Sequence, residues 1–502
     1  MSGVRAAHPA AGGRGSPPVG RPARPGGRIS RRLCLRAACG AALAGVVAPL
    51  LGACSPLAAR LTTAAASPVT LRWLPWTGFP AGGTRTAAGL LLEGLRPWIA
   101  ANRGVRVEVS GPAAGTMAAM LAGHGPDVFH GNVLPALVQN NLVHNIAPYV
   151  RSDGVDLAVF PRSALAYAEA SASFAPEGGG LFSLPAFANP AGMAVNLGAI
   201  AALGLRKPAP GWTYAQWATL WSAAAARSVH GRRFGGNLLW TGYDNSGGNP
   251  APFYLKGFGG EYVEPADPAR CALSAPGSIA CLEWCYALRH AGVMGGDNAA
   301  DITTQRQLSG PLGTGGMGGA GDLVYAATNW GGLHWDILPM PVWPHGPATY
   351  GSSDFYAVGS ATPYPELAWS LLRFLCVEAT WQSFMMQVAL TGPNQKSLWP
   401  QWERTVLQIA SPLHKVHLDV FTEAVQTDLP YVGLSFRFAD TQAAAAIRRA
   451  TARAQAGQVS VPVAAGQAVA IVDALEATGL KLQAQAAGAL HRIEQAASPS
   501  GS

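Results

Sequence analysis

Val69, Leu71 and Trp73 alternate with Thr70 and Arg72, the period-two pattern of a strand with one buried face. Leu91, Leu92, Leu95, Trp98 and Ile99 then recur at helical spacing. Pro97 falls inside that pattern, and a proline lacks the amide donor a helix interior needs, so a kink or an early end is expected. Val105, Val107 and Val109 alternate again, Met117, Met120 and Leu121 mark a short helix, and Pro126-Asp127-Val128-Phe129 enters another strand. Strands alternating with helices predict an α/β fold whose sheet is mainly parallel, with helices on both faces.

Farther along, Ala272-Leu273 reads as strand-like and Ile279, Leu282 and Tyr286 define a helix after it. The stretch from Gln305 to Leu312 is polar, carries Gly and Pro, and reads poorly as a strand; one is expected at Gly316-Met317 instead. Leu367, Leu371, Leu372, Leu375 and Cys376 form one apolar helix face, with Pro365 suited to the first turn. From Thr441 to Glu494 the chain is Ala-rich and helical, with breaks expected at Gly457–Pro462 and around Gly479. The tail from Ala497 reads as disordered. No internal repeat of fixed period is present.

The N-terminus stands apart from this pattern. A leader rich in Arg is followed by an apolar run from Ala37 to Ala53, short of the ~20 apolar residues a membrane span needs. Charged region, apolar region and small residues at a cut site make a signal peptide, assigned to 1–54. Ser30-Arg31-Arg32-Leu33-Cys34-Leu35-Arg36 resembles a twin-arginine export signal, with Cys34 at the usual aromatic position. Leu51-Gly52-Ala53-Cys54 resembles a bacterial lipobox, which implies lipid on Cys54. Buried acyl chains contribute ~0.8 kcal/mol per CH₂, and more than one makes the membrane attachment lasting. Residues 55–67 are then a small-residue linker.

Removing the leader changes the charge. The chain has 35 basic and 27 acidic residues. Eight Arg and no acid lie in 1–54, so 35 less eight leaves 27 against 27. The remaining chain is neutral and has no basic run to bind nucleic acid. Of seven cysteines, Cys271, Cys281, Cys285 and Cys376 follow Cys54. Cys281 and Cys285 fall on one face of a helix. Buried thiols or one disulfide fit these four better than metal, since zinc spacing is absent.

The ordered motifs resemble a known family. Gly125-Pro126-Asp127-Val128-Phe129, then Leu181-Phe182-Ser183-Leu184-Pro185 with Asn189 to Asn196, then Gly204-Leu205 and Gly211-Trp212-Thr213 are similar to successive segments of the extracellular solute-binding proteins of bacterial ABC importers. So are Phe258-Gly259-Gly260, Gly316-Met317, Trp335 to Pro341 and Glu366 to Leu375. The resemblance is to the sugar-binding, maltose-binding-like group (family 1) and runs over roughly 68–480. It implies a two-lobed, periplasmic-binding-protein-like fold with a hinge and an interlobe cleft. Lobe 1 would take 68–183 and 337–392, lobe 2 184–336 and 393–490, and 491–502 would be a disordered tail. It further implies a monomer outside the cell or in the periplasm that delivers a small-molecule ligand, a carbohydrate or other neutral polyol, to ABC permease subunits. No cofactor is implied.

Strand ends and Gly-rich loops supply the candidate ligand-binding residues. Trp76 follows the first strand at its carboxyl end, with packing at the lobe edge as the alternative. His130 and Asn132 follow the Val128 strand. Asn189 lies in the crossover segment, where the family often has Asp. Asp244 lies in a Gly-rich stretch that is either a cleft lip or a surface loop. Asp322, Trp330 and Trp335 follow Gly316-Met317, where maltose-type members place a stacking aromatic; Trp76 and at least one of the two tryptophans are expected to line the cleft. Tyr350-Gly351-Ser352-Ser353 occupies the position of a Gly-rich ligand loop.

Enzyme motifs are missing: there is no Gly-x-Ser-x-Gly, His-Glu-x-x-His or Walker loop. Gly313 to Gly321 matches GxGxxG twice, after a segment that reads poorly as the strand such a site requires. A binding protein, not an enzyme, is therefore expected. The paired acids of glycosidases are spaced in three dimensions, so a secreted carbohydrate-active hydrolase is the alternative, followed by a non-transport surface lipoprotein. Cys54→Ser, expressed in a lipoprotein-processing host, is expected to lose acyl label and membrane association. A mutant that keeps the label, or a wild type found only in the soluble fraction, overturns the lipobox assignment.

Overall fold

The computed structural model describes residues 68–75, 87–110, 116–131, 135–175, 178–227, 251–293, 309–313, 323–347, 349–427, 430–431, 436 and 440–497. Ten strands occur among them: β1 Val69–Leu74, β2 Val105–Val109, β3 Val128–His130, β4 Leu184–Asn196, β5 Val263–Glu264, β6 Asp267–Cys271, β7 Ser309–Gly313, β8 Trp335–Leu338, β9 Thr349–Val358 and β10 Pro430–Tyr431. The main sheet has the order β2-β1-β3-β9-β4-β7, with β8 also on β4 and β10 on β9.

The opening follows its pattern. Leu71 and Trp73 on β1 are fully buried, and Val105 and Val107 on β2 are buried. The helical run that follows is two helices, Ala87–Gly94 and Arg96–Ala101. Pro97 sits in the first turn of the second, where its missing N–H has no intrahelical role, so it starts a helix there.

The sheet is not mainly parallel, contrary to the sequence pattern. β1 pairs β2 and β3 in parallel, but β3–β9, β9–β4, β4–β7 and β4–β8 are antiparallel. Local periodicity reports strands; it does not report the direction in which a distant strand returns. Three further local readings differ. The strand near Ala272 is β6, ending at Cys271. Ser309–Gly313 is a strand despite its composition, because its backbone pairs with Ala191 to Val195 of β4. Gly316-Met317 lies outside the described residues. At the C-terminus the expected break at Gly457 is present between the helices Asp440–Gln455 and Val461–Ala497, but the second runs through Gly479 and past 491. One helical glycine costs only ~1 kcal/mol.

Helices cover the sheet on both faces. In the first half, Leu71, Trp73, Phe187, Phe355, Leu371 and Trp381 belong to one core cluster, and Leu74, Phe129, Leu142, Phe182 and Ala357 to a second. The second half has its own core, in which Met193 and Val195 of β4 pack with Trp217, Trp221, Leu282, Ile447 and Val472. A third cluster, built on Trp330, Trp335, Trp399, Trp402 and Phe421, lies against Ala188 and Ala194 of β4.

β4 joins the halves. All thirteen of its residues are buried. Leu184–Pro190 pair with β9, and Ala191–Asn196 with β7 and β8. Helix Ala379–Ala389 and the segment after it dock on its first part: Ala188 N donates to Gly392 O at 3.2 Å, Gln382 Nε2 to Ala186 O at 3.2 Å, and Asn394 Nδ2 to Pro185 O at 2.5 Å. Gly392 is required by this approach, since a Cβ there would lie 2.3 Å from Ala188 O.

Cys271, Cys281, Cys285 and Cys376 are free and buried. Burial pushes the Cys271 thiol up to about 12, which keeps it from acting as a thiolate.

Asp336 on β8 is buried at 3% exposure. Its carboxylate takes Lys207 Nζ at 2.6 Å, His417 Nδ1 at 2.8 Å, and the backbone N–H groups of Ile337 at 2.9 Å and His417 at 3.1 Å. Burial by itself would raise its pKa, but the bonds from Lys207, His417 and the backbone prevail and hold it below the usual carboxylate range. The fold therefore favours the charged form, so this stabilisation is present above the ordinary carboxylate pKa of ~3.9 and is lost as pH falls through the lowered value. Asp336→Asn is expected to cost about 1–2 kcal/mol at neutral pH, a modest figure because Lys207 and His417 are partly exposed and screened. Urea unfolding of both proteins across pH checks it: the gap should close in acid, and a pH-independent gap would contradict the assignment.

Candidate functional site

Three strands bring polar groups together where the two halves of the sheet meet. β3 ends at His130, in register with Tyr356 of β9. On β4, Asn189 lies opposite Ser352 of β9, and Phe187 opposite Asp354.

Asn189 Nδ2 donates to Asp354 Oδ2 at 3.0 Å. His130 Nε2 lies 3.4 Å from Asp354 Oδ1, and its ring meets Tyr356 edge-on at 5.5 Å. The group is recessed but open: Asn189 is buried, while the side chains of His130 and Asp354 are 14% and 21% exposed. A carboxylate has about four acceptor positions, and the Asn189 amide fills one. The exposed remainder can accept hydroxyl protons. The His130 imidazole donates or accepts according to its tautomer. Carboxylate, amide and imidazole together suit a ligand with several neutral hydroxyls, and the group contains no Lys or Arg to recruit an anion.

The structure thus unites His130 and Asn189 and places the backbone of Ser352 opposite Asn189. It adds Asp354, which the sequence reading missed. The available signal was a single charge inside a strand that continues as Phe355-Tyr356-Ala357-Val358. A carboxylate amid such neighbours needs a polar partner, and the partner came from a strand 165 residues away. Cys54, Trp76, Asn132, Asp244 and Asp322 lie outside the described residues.

Trp330 and Trp335 are placed differently from the expectation. They are 0% and 5% exposed, pack edge to face at 4.9 Å, and belong to the cluster with Trp399, Trp402 and Phe421. Neither ring presents a free face to a ligand. An aromatic after a strand gives the same sequence signal whether it turns to a cleft or to the core, and here packing claims both. Among the described residues no group of three or more His, Cys, Asp or Glu could hold a metal ion.

No protein-family model matches the chain, and no curated protein matches its sequence. Solved structures match its shape. The cyclic α-maltosyl-1,6-maltose binding protein of Arthrobacter globiformis has a TM-score of 0.63 at 18% identity, over 82% of this chain and 100% of that one. The sugar-binding protein MalE of Xanthomonas citri has a TM-score of 0.62 at 16% identity, over 83% and 100%. An ABC-transporter solute-binding protein of Thermotoga lettingae, bound with α-D-tagatose, has a TM-score of 0.58 at 14% identity, over 81% and 100%. The fold is accordingly the two-lobed α/β fold of the periplasmic-binding-protein type.

The core placement of the tryptophans has a measurable consequence. Trp330→Ala is expected to lower stability by about 3–5 kcal/mol without ligand, as removal of a fully buried large aromatic does. Denaturant unfolding checks it; a loss below about 1 kcal/mol would mean the ring is not in the core.

Proposed function

We propose that this protein is an exported, lipid-anchored solute-binding protein that captures a neutral sugar or polyol between two lobes and presents it, as a monomer, to the permease of an ABC importer. The observation that carries the reading is the His130–Asp354–Asn189 group, with the His130 and Asp354 side chains partly exposed, at the strands that join the halves of a two-lobed fold. Ligand capture at a crossing between lobes fits hinge closure, in which each lobe supplies part of the site.

The lobes are assigned from the same strands. Residues 68–183 belong to the first, and β4 passes to the second where it changes partners, after Pro190. Trp76 is proposed as an aromatic of the first lobe. Leu74 is in register with Phe129, so the chain leaves β1 just before Trp76 at the same sheet edge where β3 ends in His130. Asn132 follows that same end. Asp244, Asp322 and Ser352 complete the proposed set. Lipid on Cys54 would hold the protein at the membrane face from which the permease takes the ligand.

The hydrolase alternative has less support here. Glycosidases use two carboxyl groups about 5–9.5 Å apart, and the described group contains one, Asp354.

The test is a thermal-shift screen of the protein against sugars, polyols and amino acids, followed by titration. A ligand at ~100 times its Kd is expected to add ~2.7 kcal/mol of stability by mass action. Asp354→Ala should weaken binding of the best sugar about tenfold or more, the loss of one charge-assisted hydrogen bond. The ligand should be recovered unchanged by mass spectrometry. Recovery of hydrolysed product would instead establish a carbohydrate-active enzyme, and a response to amino acids alone would exclude the sugar class.

A further inference from the structure

We propose that this chain reaches its fold only while its thiols are reduced, so that folding precedes contact with an oxidising compartment, and that three thiols gathered in the core of the second half, Cys271, Cys281 and Cys285, impose that order. The inference goes beyond ligand capture and rests on the export part of the reading above, since exported proteins meet conditions in which disulfides form and persist.

The three thiols share one place. Cys271 ends β6, and Cys281 and Cys285 lie on the buried face of helix Pro276–His290. All three belong to the core that holds Trp217, Trp221 and Val472. The Cys281 thiol meets that of Cys285. The buried Tyr262 phenol, pushed up first by burial, is pushed further by Cys281, Tyr286, Cys285 and Cys271 beside it. The fourth thiol, Cys376, belongs to the core of the first half and reaches Leu184 O at 3.8 Å.

This arrangement does not accept a bond between Cys281 and Cys285. Residues four apart on a helix have Cβ atoms about 5–6 Å apart, whereas a disulfide needs about 3.5–4.5 Å. Closing the pair therefore distorts the helix between them. The helix has little freedom to follow. Gly277, in its first turn, lies so close under Phe258 that a Cβ would meet Phe258 O at 2.4 Å. The buried Ser278 Oγ accepts from Glu261 N at 3.1 Å and donates to Glu261 O at 3.0 Å. Near the other end, Tyr286 OH donates to Thr451 O at 3.0 Å. A bond from Cys376 to any of the three would join two separate cores.

The unfolded chain has none of this protection. An exposed cysteine titrates at ~8.5, and closing a ten-residue loop takes about 10–100 ns. Cys281 follows Cys271 by ten residues, and Cys285 follows Cys281 by four. One thiolate attacks the disulfide of an oxidant such as oxidised glutathione and displaces its first thiol; the second cysteine then displaces the other. Two cysteine thiols thereby give two electrons and two protons to the oxidant, which leaves as two thiols. In the folded protein, burial pushes the Cys271 thiol up to about 12, and burial followed by the Cys285 contact pushes Cys281 well above the ordinary thiol range. Buried thiols in apolar surroundings are inert. The core thus guards its thiols only once it has formed.

Refolding of the full chain tests the proposal. The chain is unfolded in guanidinium chloride with reductant, freed of the reductant, and diluted into reduced or oxidised glutathione. The yield of native protein, read by tryptophan fluorescence and near-UV circular dichroism, is expected to fall about tenfold or more in oxidised glutathione. Peptide mapping of the trapped chain should find bonds that include Cys281 or Cys285. Native protein placed in the same oxidised buffer should keep its fold and its thiols at 271, 281, 285 and 376. Cys281→Ala and Cys285→Ala each remove the closest pair and should recover yield severalfold in oxidised glutathione. Each variant is scored against its own yield in reduced glutathione, which separates a loss of stability from an escape from trapping. Equal wild-type yields in the two buffers overturn the proposal. So do native protein that carries a bond among Cys271, Cys281 and Cys285, trapped chains whose bonds omit all three, and no recovery by either variant. Neither sugar nor export takes part, so a failure of ligand binding or of export is read separately.

Discussion

Thirteen consecutive buried residues on one strand, Leu184–Asn196, constrain everything else in this molecule. A strand buried on both faces and both edges must have every N–H and C=O satisfied by the protein, since water does not reach them. β9, the 392–393 segment, β7 and β8 meet that demand in turn. The elements that do so come from distant parts of the sequence and are thereby fixed around one line. The three large cores each lean on β4, through Phe187 in one, Met193 and Val195 in another, and Ala188 and Ala194 in the third.

The polar group follows from the same constraint. Asn189 sits on β4 at the junction, where a side chain faces Asp354 across the ladder. The Asp354 carboxylate takes the Asn189 amide, and its side chain stays 21% exposed. This contrasts with Asp336, whose carboxylate is fully engaged by Lys207, His417 and two backbone amides. The two aspartates differ by the number of donors already committed. One is a structural tie in the second half; the other takes the Asn189 amide and stays partly exposed.

What the sequence by itself determined is the set of elements that a local pattern can announce. The period-two runs at Val69 and Val105, the helix starting at Pro365 and the C-terminal helices are each visible because burial of one face writes its period into a few consecutive residues. His130 and Asn189 were legible as strand-end and crossover polar residues. Only the tertiary structure decided the rest. It set the antiparallel direction of β9 and β4, made a strand of Ser309–Gly313, turned Trp330 and Trp335 into the core, and brought Asp354 to Asn189. Each of these depends on a partner more than a hundred residues away or on which of two surfaces an aromatic meets, and hydrophobic periodicity carries information about a residue's own element, not about the element it will touch.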